Sequence, residues 1–401
     1  MTEHVPAPHL TDPTVLLTLT GPDRPGVSTA LFECLASFDL EVVDVEQLVV
    51  RGRLVLSVLV TRPTDDAALE SAVRELGADL ALEVETEKGV GDNRPRRVGR
   101  ANVTVLGHPL EPTAMAAMTQ RIAAAGGNID RILRLARYPV TALRLEISGA
   151  EPEDLQALLL EAAIDHGIDV AVEERGILRH AQRLVVMDVD STLIQGEVIE
   201  MLAEHAGIRE AMEKATAEAM RGEMDFETSI RQRVQMLAGL DASLLDGVRR
   251  EIQFTPGART MIRTLKRLGY RFALVSGGFR PIIQPLADEL GIDYVAANEL
   301  EIQDGKLTGQ LLGPILDRAG KAEALRQFAH DAGIPLRNTV AIGDGANDLD
   351  MLAAAGLGVA FNAKPLVRDA AKTSVNVPYL DSIVYLLGIT REEVEAADAA
   401  D

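Results

Sequence analysis

The chain has 401 residues, enough for two to four domains, and its 47% hydrophobic and 25% charged content is that of an ordinary soluble globular protein. The net charge of -21 argues against a nucleic-acid partner, because binding to a phosphate backbone needs clustered Lys and Arg. The lone Cys34 excludes an intrachain disulfide framework and favours the cytoplasm, and neither a membrane-spanning apolar run nor a signal pattern is predicted.

The first half of the chain repeats one pattern, β-α-β-β-α-β, over residues 14–86 and 101–174. The first segment predicts, in order, Thr14–Thr20, a helix to about Ser37, Glu41–Val50, Arg53–Val60, a helix from about Asp65, and Leu80–Glu87. The second predicts Ala101–Leu106, Pro112–Ala125, Asn128–Arg137, Thr141–Ser148, Glu153–His166 and Ile168–Val172. We therefore predict two α+β domains, residues 1–88 and 101–176.

Each segment resembles an ACT domain, a ferredoxin-like module that in many amino-acid enzymes binds an amino acid at a subunit interface. The resemblance is carried in the first segment by the loop G-P-D-R-P-G at 21–26, and it implies a regulatory amino-acid site at Gly21, Asp23 and Gly26. The same glycines also fit a simple tight turn and helix start. In the second segment the loop reads G-H-P-L-E-P and departs from the pattern.

A basic segment, Lys88–Arg100, separates the two repeats and carries five basic residues, three glycines and one proline. An RNA-binding segment would interleave aromatic residues with these charges, and none is present. A solvated linker is the favoured interpretation.

From residue 183 to 390 strands alternate with helices, which predicts a parallel α/β sheet with right-handed crossovers. An insertion at about 197–253 has almost no strand pattern, and it predicts a helical cap with helices Glu197–His205, Arg209–Arg221 and Phe226–Ala238. After it, the predicted elements are Gly257–Leu268, Arg271–Ser276, Arg280–Leu290, a hairpin of Glu299–Ile302 and Lys306–Gln310, Lys321–Ala332, Thr339–Gly343, Asn347–Ala355 and Gly358–Phe361. Residues 391–401 form an acidic tail that we expect to fray.

Two carboxylates follow the first strand of this region. Leu184–Met187 is a short apolar run, and Asp188 and Asp190 come directly after it. Residues i and i+2 of an extended segment point to the same side, and in open α/β sheets ligands bind beyond the carboxyl ends of the strands. Two like charges so close need a cation or a shared proton. The pattern predicts a divalent-metal site for phosphoryl chemistry.

Three further polar positions stand at strand ends or helix starts. Ser276 and Gly277 end a strand, Lys321 opens a helix, and G-D-G-A-N-D places Asp344 and Asn347 after another strand. A hydroxyl and free N–H groups at such a strand end can hold an anion. Each position alone also fits a turn or a solvated side chain. In this order after D-V-D-S-T, they form a four-part signature.

That signature resembles the four motifs of the haloacid dehalogenase superfamily of phosphatases, and the cap residues narrow the resemblance to its phosphoserine phosphatases. Two ACT-like domains before the phosphatase are similar to the form found in mycobacteria and related bacteria. The resemblance implies a Rossmannoid parallel sheet with a helical cap. The implied reaction is hydrolysis of O-phospho-L-serine through an aspartyl-phosphate, the last step of serine biosynthesis, and the implied assembly is a homodimer.

The resemblance also implies residue roles at the sheet edge. Asp188 is the nucleophile and Asp190 the general acid and base. Mg²⁺ is held by Asp188, the backbone carbonyl of Asp190, and Asp344. The implied phosphate-binding groups are Ser276, Gly277 and Lys321.

In the cap, Glu197 is the implied partner of the substrate ammonium, and Arg233 that of its carboxylate. Met220 and Phe226 close over the substrate, although at helical spacing they also fit ordinary core positions. Asn347 helps to hold the substrate.

Two alternatives stay open at this point. The enzyme could act on another small phosphate ester, such as phosphothreonine or phosphohomoserine. In a different class, the ACT-like repeats could make the chain an amino-acid sensor with the phosphatase body kept as a scaffold.

Overall fold

The computed structural model describes residues 11–91, 99–175, 183–220, 226–371 and 373–399, without the side chains of 216–220. The chain divides into two compact units, Met1–Arg96 and Arg97–Asp401. The predicted linker falls mostly outside the described residues. No helix in the described ranges is long and apolar enough to cross a membrane.

The first unit is a four-stranded antiparallel sheet in the order β2-β3-β1-β4 with two helices. Alternate residues of the first strand, Val15, Leu17 and Leu19, are buried against helix residues such as Leu31, which is the two-residue period of a half-covered sheet. Its elements are β1 (Pro13–Pro22), α1 (Val27–Leu35), β2 (Val42–Val50), β3 (Arg53–Thr61), α2 (Asp66–Asp79) and β4 (Glu83–Val90).

The second repeat has the same topology, with strand order β6-β7-β5-β8, so the ferredoxin-like prediction for both repeats is confirmed. Its elements are β5 (Arg100–Gly107), α3 (Pro112–Ala124), β6 (Asn128–Ala136), β7 (Thr141–Ser148), α4 (Pro152–His166) and β8 (Asp169–Glu174). One face packs on α3 and α4. The other face is also buried, because Leu106, Ala142 and Ala171 belong to the hydrophobic core of the C-terminal α/β domain.

A buried hydrogen-bonded contact joins this repeat to the α/β domain. Asp169 accepts a hydrogen bond from the backbone N–H of Asn376 (2.8 Å) and another from its side-chain amide (2.5 Å). Burial raises the pKa of Asp169 to about 6, even though both hydrogen bonds favour the ionised form.

We expect the pKa of Asp169 to make stability depend on pH. Because its folded-state pKa of about 6 lies above the ordinary value of 3.8, its contribution is fully present below that ordinary value and is lost as pH rises through about 6. Between pH 5 and 7.5 the free energy of unfolding of the wild type should fall by about 1 kcal/mol more than that of Asp169→Asn. Urea denaturation across this range measures it, with Asp165→Asn, at an exposed position, as control. Parallel curves for the wild type and Asp169→Asn would contradict the expectation.

The α/β domain has a seven-stranded sheet in the order β12-β11-β10-β9-β13-β14-β15. Its elements are β9 (Leu184–Met187), α5 (Val198–His205), α6 (Arg209–Met220), α7 (Phe226–Gln235), α8 (Ser243–Glu251), α9 (Ala258–Arg267), β10 (Arg271–Phe279), α10 (Arg280–Leu290), β11 (Tyr294–Gln303), β12 (Lys306–Leu312), α11 (Arg318–Asp331), β13 (Thr339–Gly343), α12 (Leu349–Ala354), β14 (Leu357–Phe361), α13 (Pro365–Ala370), β15 (Thr373–Val375), α14 (Ile383–Leu386) and α15 (Arg391–Ala399). The predicted parallel sheet is confirmed.

Strand β9 occupies the centre of the sheet and is apolar throughout because both of its faces are covered. Val185 and Met187 face one hydrophobic core, and Leu184 and Val186 face the other. It pairs in parallel with β10 and β13. The three carboxyl ends therefore meet at one edge, and the residues after them share one crevice.

The cap helices α5 to α8 lie between β9 and α9 and connect to the core through two adjacent segments. Ile194 and Phe254 form an isolated antiparallel bridge, and the Gln195 N–H donates to the carbonyl of Gln253 (2.9 Å). The cap also contacts the β11–β12 hairpin, where the Gly239 N–H donates to the Leu307 carbonyl (2.8 Å).

The structure corrects two expectations. Strand β11 begins at Tyr294, where it pairs in parallel with β10, and only its second half forms the predicted hairpin with β12. The expected fraying of the acidic tail is wrong up to Ala399, because α15 buries Val394 and its Asp398 forms ion pairs with Arg263 (2.7 Å) and Arg267 (2.8 Å).

Candidate active site

The site begins where β9 ends. The Asp188 N–H donates to the carbonyl of Ile342 on β13 (2.9 Å), which ties the start of the loop to the neighbouring strand. Ser191 adopts a φ of +56°, and its N–H donates to the Gly196 carbonyl (3.0 Å), so the chain turns back toward the cap. The side chains of Asp188 and Asp190 reach Lys321 and Ser276, respectively. The chain between them is not the extended segment that the sequence predicted, because Val189–Leu193 forms a short helical turn.

A buried lysine lies between two carboxylates. The Lys321 Nζ is 2.8 Å from Asp188 Oδ1 and 2.7 Å from Asp348 Oδ1, and all three side chains are at most 5% exposed. Burial lowers the pKa of Lys321, but the charges of Asp188 and Asp348 outweigh it and raise that pKa above its ordinary value. The two carboxylates therefore favour the charged form of the lysine.

Three carboxylates converge on one point: Asp188, Asp344 and Asp348 each have an oxygen within 4.8 Å of the others. Thr192 Oγ1 donates to Asp344 Oδ1 (3.1 Å) and orients it. Burial, and then the charge of Asp348, raise the pKa of Asp344 to about 6. Oxygen ligands crowded in this way suit a hard divalent cation, which would relieve the repulsion. The predicted ligands Asp188 and Asp344 belong to this group.

Asp190 is held from two sides. Its Oδ2 accepts from Ser276 Oγ (3.1 Å), and its Oδ1 accepts from the Val198 N–H (2.8 Å) at the start of cap helix α5. Burial raises the pKa of Asp190 above its ordinary value. A carboxyl group that is easily protonated, and held between core and cap, suits a general acid and base.

The carboxyl end of β10 lies under the cap, and its pairing with β11 is irregular between Ser276 and Phe279; we call this stretch the Ser276 loop. Ser276 is fully buried, and its Oγ accepts from the Gly278 N–H (2.8 Å). A Cβ on Gly277 would lie 3.6 Å from the ring of Phe226, which places that cap residue directly above the loop. The side chain of Met220 lies outside the described residues.

Glu197 stands at the amino end of α5, where Ser191 Oγ donates to its Oε1 (3.2 Å). Burial, and then the charge of Asp190, raise the pKa of Glu197 to about 7. Burial lowers the pKa of Arg233 on α7, and the charges of Glu197 and Asp190 oppose that shift. An acid and a base of the cap therefore face the same crevice, whereas Arg231 forms an exposed ion pair with Glu227 (2.8 Å).

The remaining predicted residues are Asn347, which directly precedes Asp348 in the chain, and the loop of the first unit. Asn347 is half-buried in the turn after β13, with its Oδ1 folded over Gly345. In the first unit, Asp23 is exposed and its N–H donates to the Gly52 carbonyl (2.7 Å), while Gly26 has a φ of +97° at the start of α1.

Two threonines were not predicted as site residues. Besides Thr192, which orients Asp344, Thr255 donates its Oγ1 to the Thr192 carbonyl (2.7 Å) and ties the exit from the cap to the motif loop. Thr192 is the threonine of D-V-D-S-T, so the motif itself pointed to it. Thr255 lies 63 residues away and has no local signal.

Family models match three parts of the chain: a haloacid dehalogenase-like hydrolase over residues 185–353, and ACT domains over 13–87 and 101–173. The chain is 59% identical to a phosphoserine phosphatase of Streptomyces coelicolor, covering 96% of this chain and 95% of that one. It is 51% identical to phosphoserine phosphatase SerB2 of Mycobacterium tuberculosis, covering 96% of each.

Two solved structures are also similar. One is a haloacid dehalogenase family hydrolase from Salmonella enterica serovar Typhi, with a TM-score of 0.62 at 28% identity, covering 72% of this chain and 99% of that one. The other is an unliganded probable phosphoserine phosphatase from Vibrio cholerae, with a TM-score of 0.57 at 33% identity, covering 75% and 89%.

Proposed function

Because the chain belongs to the phosphoserine phosphatase family of haloacid dehalogenase-like hydrolases, we propose that it hydrolyses O-phospho-L-serine to L-serine and phosphate at the crevice around Asp188. The observation that carries this proposal is the 59% and 51% identity to such enzymes over 96% of this chain, together with a complete set of the side chains that the reaction needs. The reaction would complete serine biosynthesis.

In the first step, an Asp188 oxygen forms a bond to phosphorus while the bond from phosphorus to the serine oxygen breaks. Asp190 gives its proton to that oxygen, and serine leaves. In the second step, Asp190 takes a proton from water, and the water oxygen forms a bond to phosphorus while the bond from phosphorus to the Asp188 oxygen breaks. Phosphate leaves and the Asp188 carboxylate is regenerated. Lys321 and the Ser276 loop hold the phosphoryl oxygens.

The acidic cluster fits a magnesium ion. We propose that Asp188, Asp344 and the backbone carbonyl of Asp190 hold Mg²⁺, which when bound offsets the negative charge of substrate and carboxylates. Asp348, whose Oδ1 contacts Lys321 and whose Oδ2 accepts from the Gly345 N–H (2.9 Å), would keep the lysine in place.

The cap supplies the specificity for a small zwitterion. We propose that Glu197 binds the ammonium and Arg233 the carboxylate, while Phe226 above Gly277, with Met220, excludes water. Asn347 would help to hold the substrate. These roles follow from charge, since the acidic Glu197 suits a cation and the basic Arg233 suits an anion.

Removing the guanidinium of Arg233 should damage substrate binding more than chemistry. Arg233→Ala should raise KM for phosphoserine by a free energy of about 2–4 kcal/mol, and far less for an aryl phosphate that has no carboxylate. Steady-state kinetics measures both, with the exposed Arg231→Ala as control. Equal losses for the two esters would favour the rival interpretation, a phosphatase for another small phosphate ester.

We also propose that the first ACT domain binds an amino acid near Gly21, Asp23 and Gly26, and that the enzyme works as a cytoplasmic homodimer. A phosphate-release assay with Mg²⁺ tests the proposed activity and its regulation, using phosphoserine, phosphothreonine and phosphohomoserine, each with and without single amino acids. Preferred release from phosphoserine supports the activity. No release from that ester would end it, and rates insensitive to every amino acid would end the proposed regulation.

A further inference from the structure

A buried side-chain amide, which is not itself one of the proposed site residues, connects the Ser276 loop to the segment before α11. Asn298 lies on β11 and is 2% exposed. Its Nδ2 donates to the Gly277 carbonyl (2.7 Å), and its Oδ1 accepts from the Leu316 N–H (2.8 Å). The two partners fix which end of the amide faces which segment, since one can only accept and the other can only donate.

The first of these bonds sets a peptide plane in the phosphate-binding loop. The Gly277 carbonyl and the Gly278 N–H belong to the same peptide, and in a trans peptide they point in opposite directions. Two adjacent glycines leave that plane free to rotate. Because Asn298 holds the Gly277 carbonyl on its own side, the Gly278 N–H points the opposite way, where it donates to Ser276 Oγ (2.8 Å).

From Ser276 the chain of bonds continues to a reacting group. Ser276 Oγ accepts from Gly278 and donates to Asp190 Oδ2 (3.1 Å). All donors point the same way, from Asn298 through the loop to Asp190. In a buried site, hydrogen bonds aligned in this way strengthen one another.

The second bond reaches the lysine. Leu316 directly precedes Asp317, whose carboxylate caps α11 by accepting from the Gly320 N–H (2.7 Å), and whose carbonyl accepts from the Lys321 N–H (2.9 Å). Asn298 therefore fixes the separation between the loop that carries Ser276 and the helix that delivers Lys321.

We propose that Asn298 is a positioning residue that sets, through Ser276, the orientation of Asp190 for protonating the departing alcohol. This rests on the proposed function, because it assigns a task within the same reaction. An apolar side chain would fill the strand position equally well, but it would leave the Gly277 carbonyl and the Leu316 N–H without their partner. Misplacing a reacting group by about 1 Å costs on the order of 100-fold in rate.

The test compares two esters at the level of kcat/KM. Asn298→Ala should lower this constant for phosphoserine on the order of 100-fold, and for p-nitrophenyl phosphate severalfold at most, because its leaving group needs little protonation. Asn298→Asp keeps an acceptor for Leu316 but loses the donor to Gly277, and should show the same ester-selective loss. Thr339→Val is the matched control. Thr339 is 1% exposed on β13 of the same sheet, and its Oγ1 donates to the Leu336 carbonyl (2.7 Å) and accepts from the Gly356 N–H (3.3 Å).

The control should lower Tm and leave the ratio between esters unchanged. Equal losses for both esters in Asn298→Ala would overturn the proposal, and so would a wild-type ratio in Asn298→Asp. Rates are expressed per folded molecule by circular dichroism, and Asn298→Asp carries the test alone if Asn298→Ala does not fold. Failure of the wild type to release phosphate from phosphoserine would instead refute the proposed function.

Discussion

Asp188→Asn is expected to reduce turnover of O-phospho-L-serine by about 10⁴-fold or more while the protein stays folded. An amide has no charged oxygen with which to attack phosphorus, so the aspartyl-phosphate cannot form. The change keeps the size of the side chain, so the pocket around it is preserved. It also removes one of three crowded carboxylates, and Lys321 keeps its other partner, Asp348.

Steady-state phosphate release and a single-turnover experiment, which detects the covalent intermediate after acid quenching, measure this effect. Asp188→Ala should accompany the amide variant, because slow deamidation of Asn would restore the aspartate. Asp350→Asn is the control, since Asp350 lies on α12, two residues after Asp348, but pairs with Arg318 at the surface. A rate within tenfold of the wild type in both Asp188 variants would mean that another group attacks phosphorus.

The clustering of these carboxylates could be predicted because its signal is local. Four apolar residues of β9, buried on both faces, end directly at Asp188, and the chain returns to the same edge at Ser276 and Asp344 after the neighbouring strands. Strand order and crossover rules bring these ends together without any knowledge of distances. The pair of α+β repeats could likewise be predicted from the hydrophobic alternation within each repeat.

Asn298 could not be predicted, for a physical reason. Its partners lie 21 residues before it and 18 after it, and its role appears only when the strand pairs with β10. The first half of β11 contains alanines, whose low strand propensity concealed its start. The burial of both faces of the second repeat was equally hidden, because residues such as Leu106 and Ala171 read as ordinary strand positions.

The docked C-terminal helix shows the same limit. R-E-E-V-E-A-A-D-A-A-D has a single branched apolar residue in eleven and predicts a solvated end. What holds it is tertiary: Val394 is buried, and Asp398 finds Arg263 and Arg267 on α9. Charge complementarity between distant segments has no period along the chain, so pattern analysis does not detect it.

Lys321→Met should destabilise the protein by about 3–5 kcal/mol and also reduce kcat by about 10²-fold or more. The loss of stability follows because Asp188 and Asp348, both buried, lose the cation that lies 2.8 and 2.7 Å from them. The loss of rate follows because phosphoryl charge in the transition state loses a fixed positive partner. Urea denaturation and steady-state kinetics measure the two effects separately.

The double variant Lys321→Met/Asp348→Asn separates structural from chemical roles. Neutralising Asp348 removes one of the two uncompensated charges, so a large part of the lost stability should return while kcat stays low. Added Mg²⁺ should stabilise Lys321→Met more than the wild type, because the cation offsets the carboxylates that the lysine no longer neutralises. A double variant as unstable as the single one, with no response to Mg²⁺, would show that Lys321 contributes packing rather than charge. The crevice would then need another source of positive potential to bind a phosphate ester.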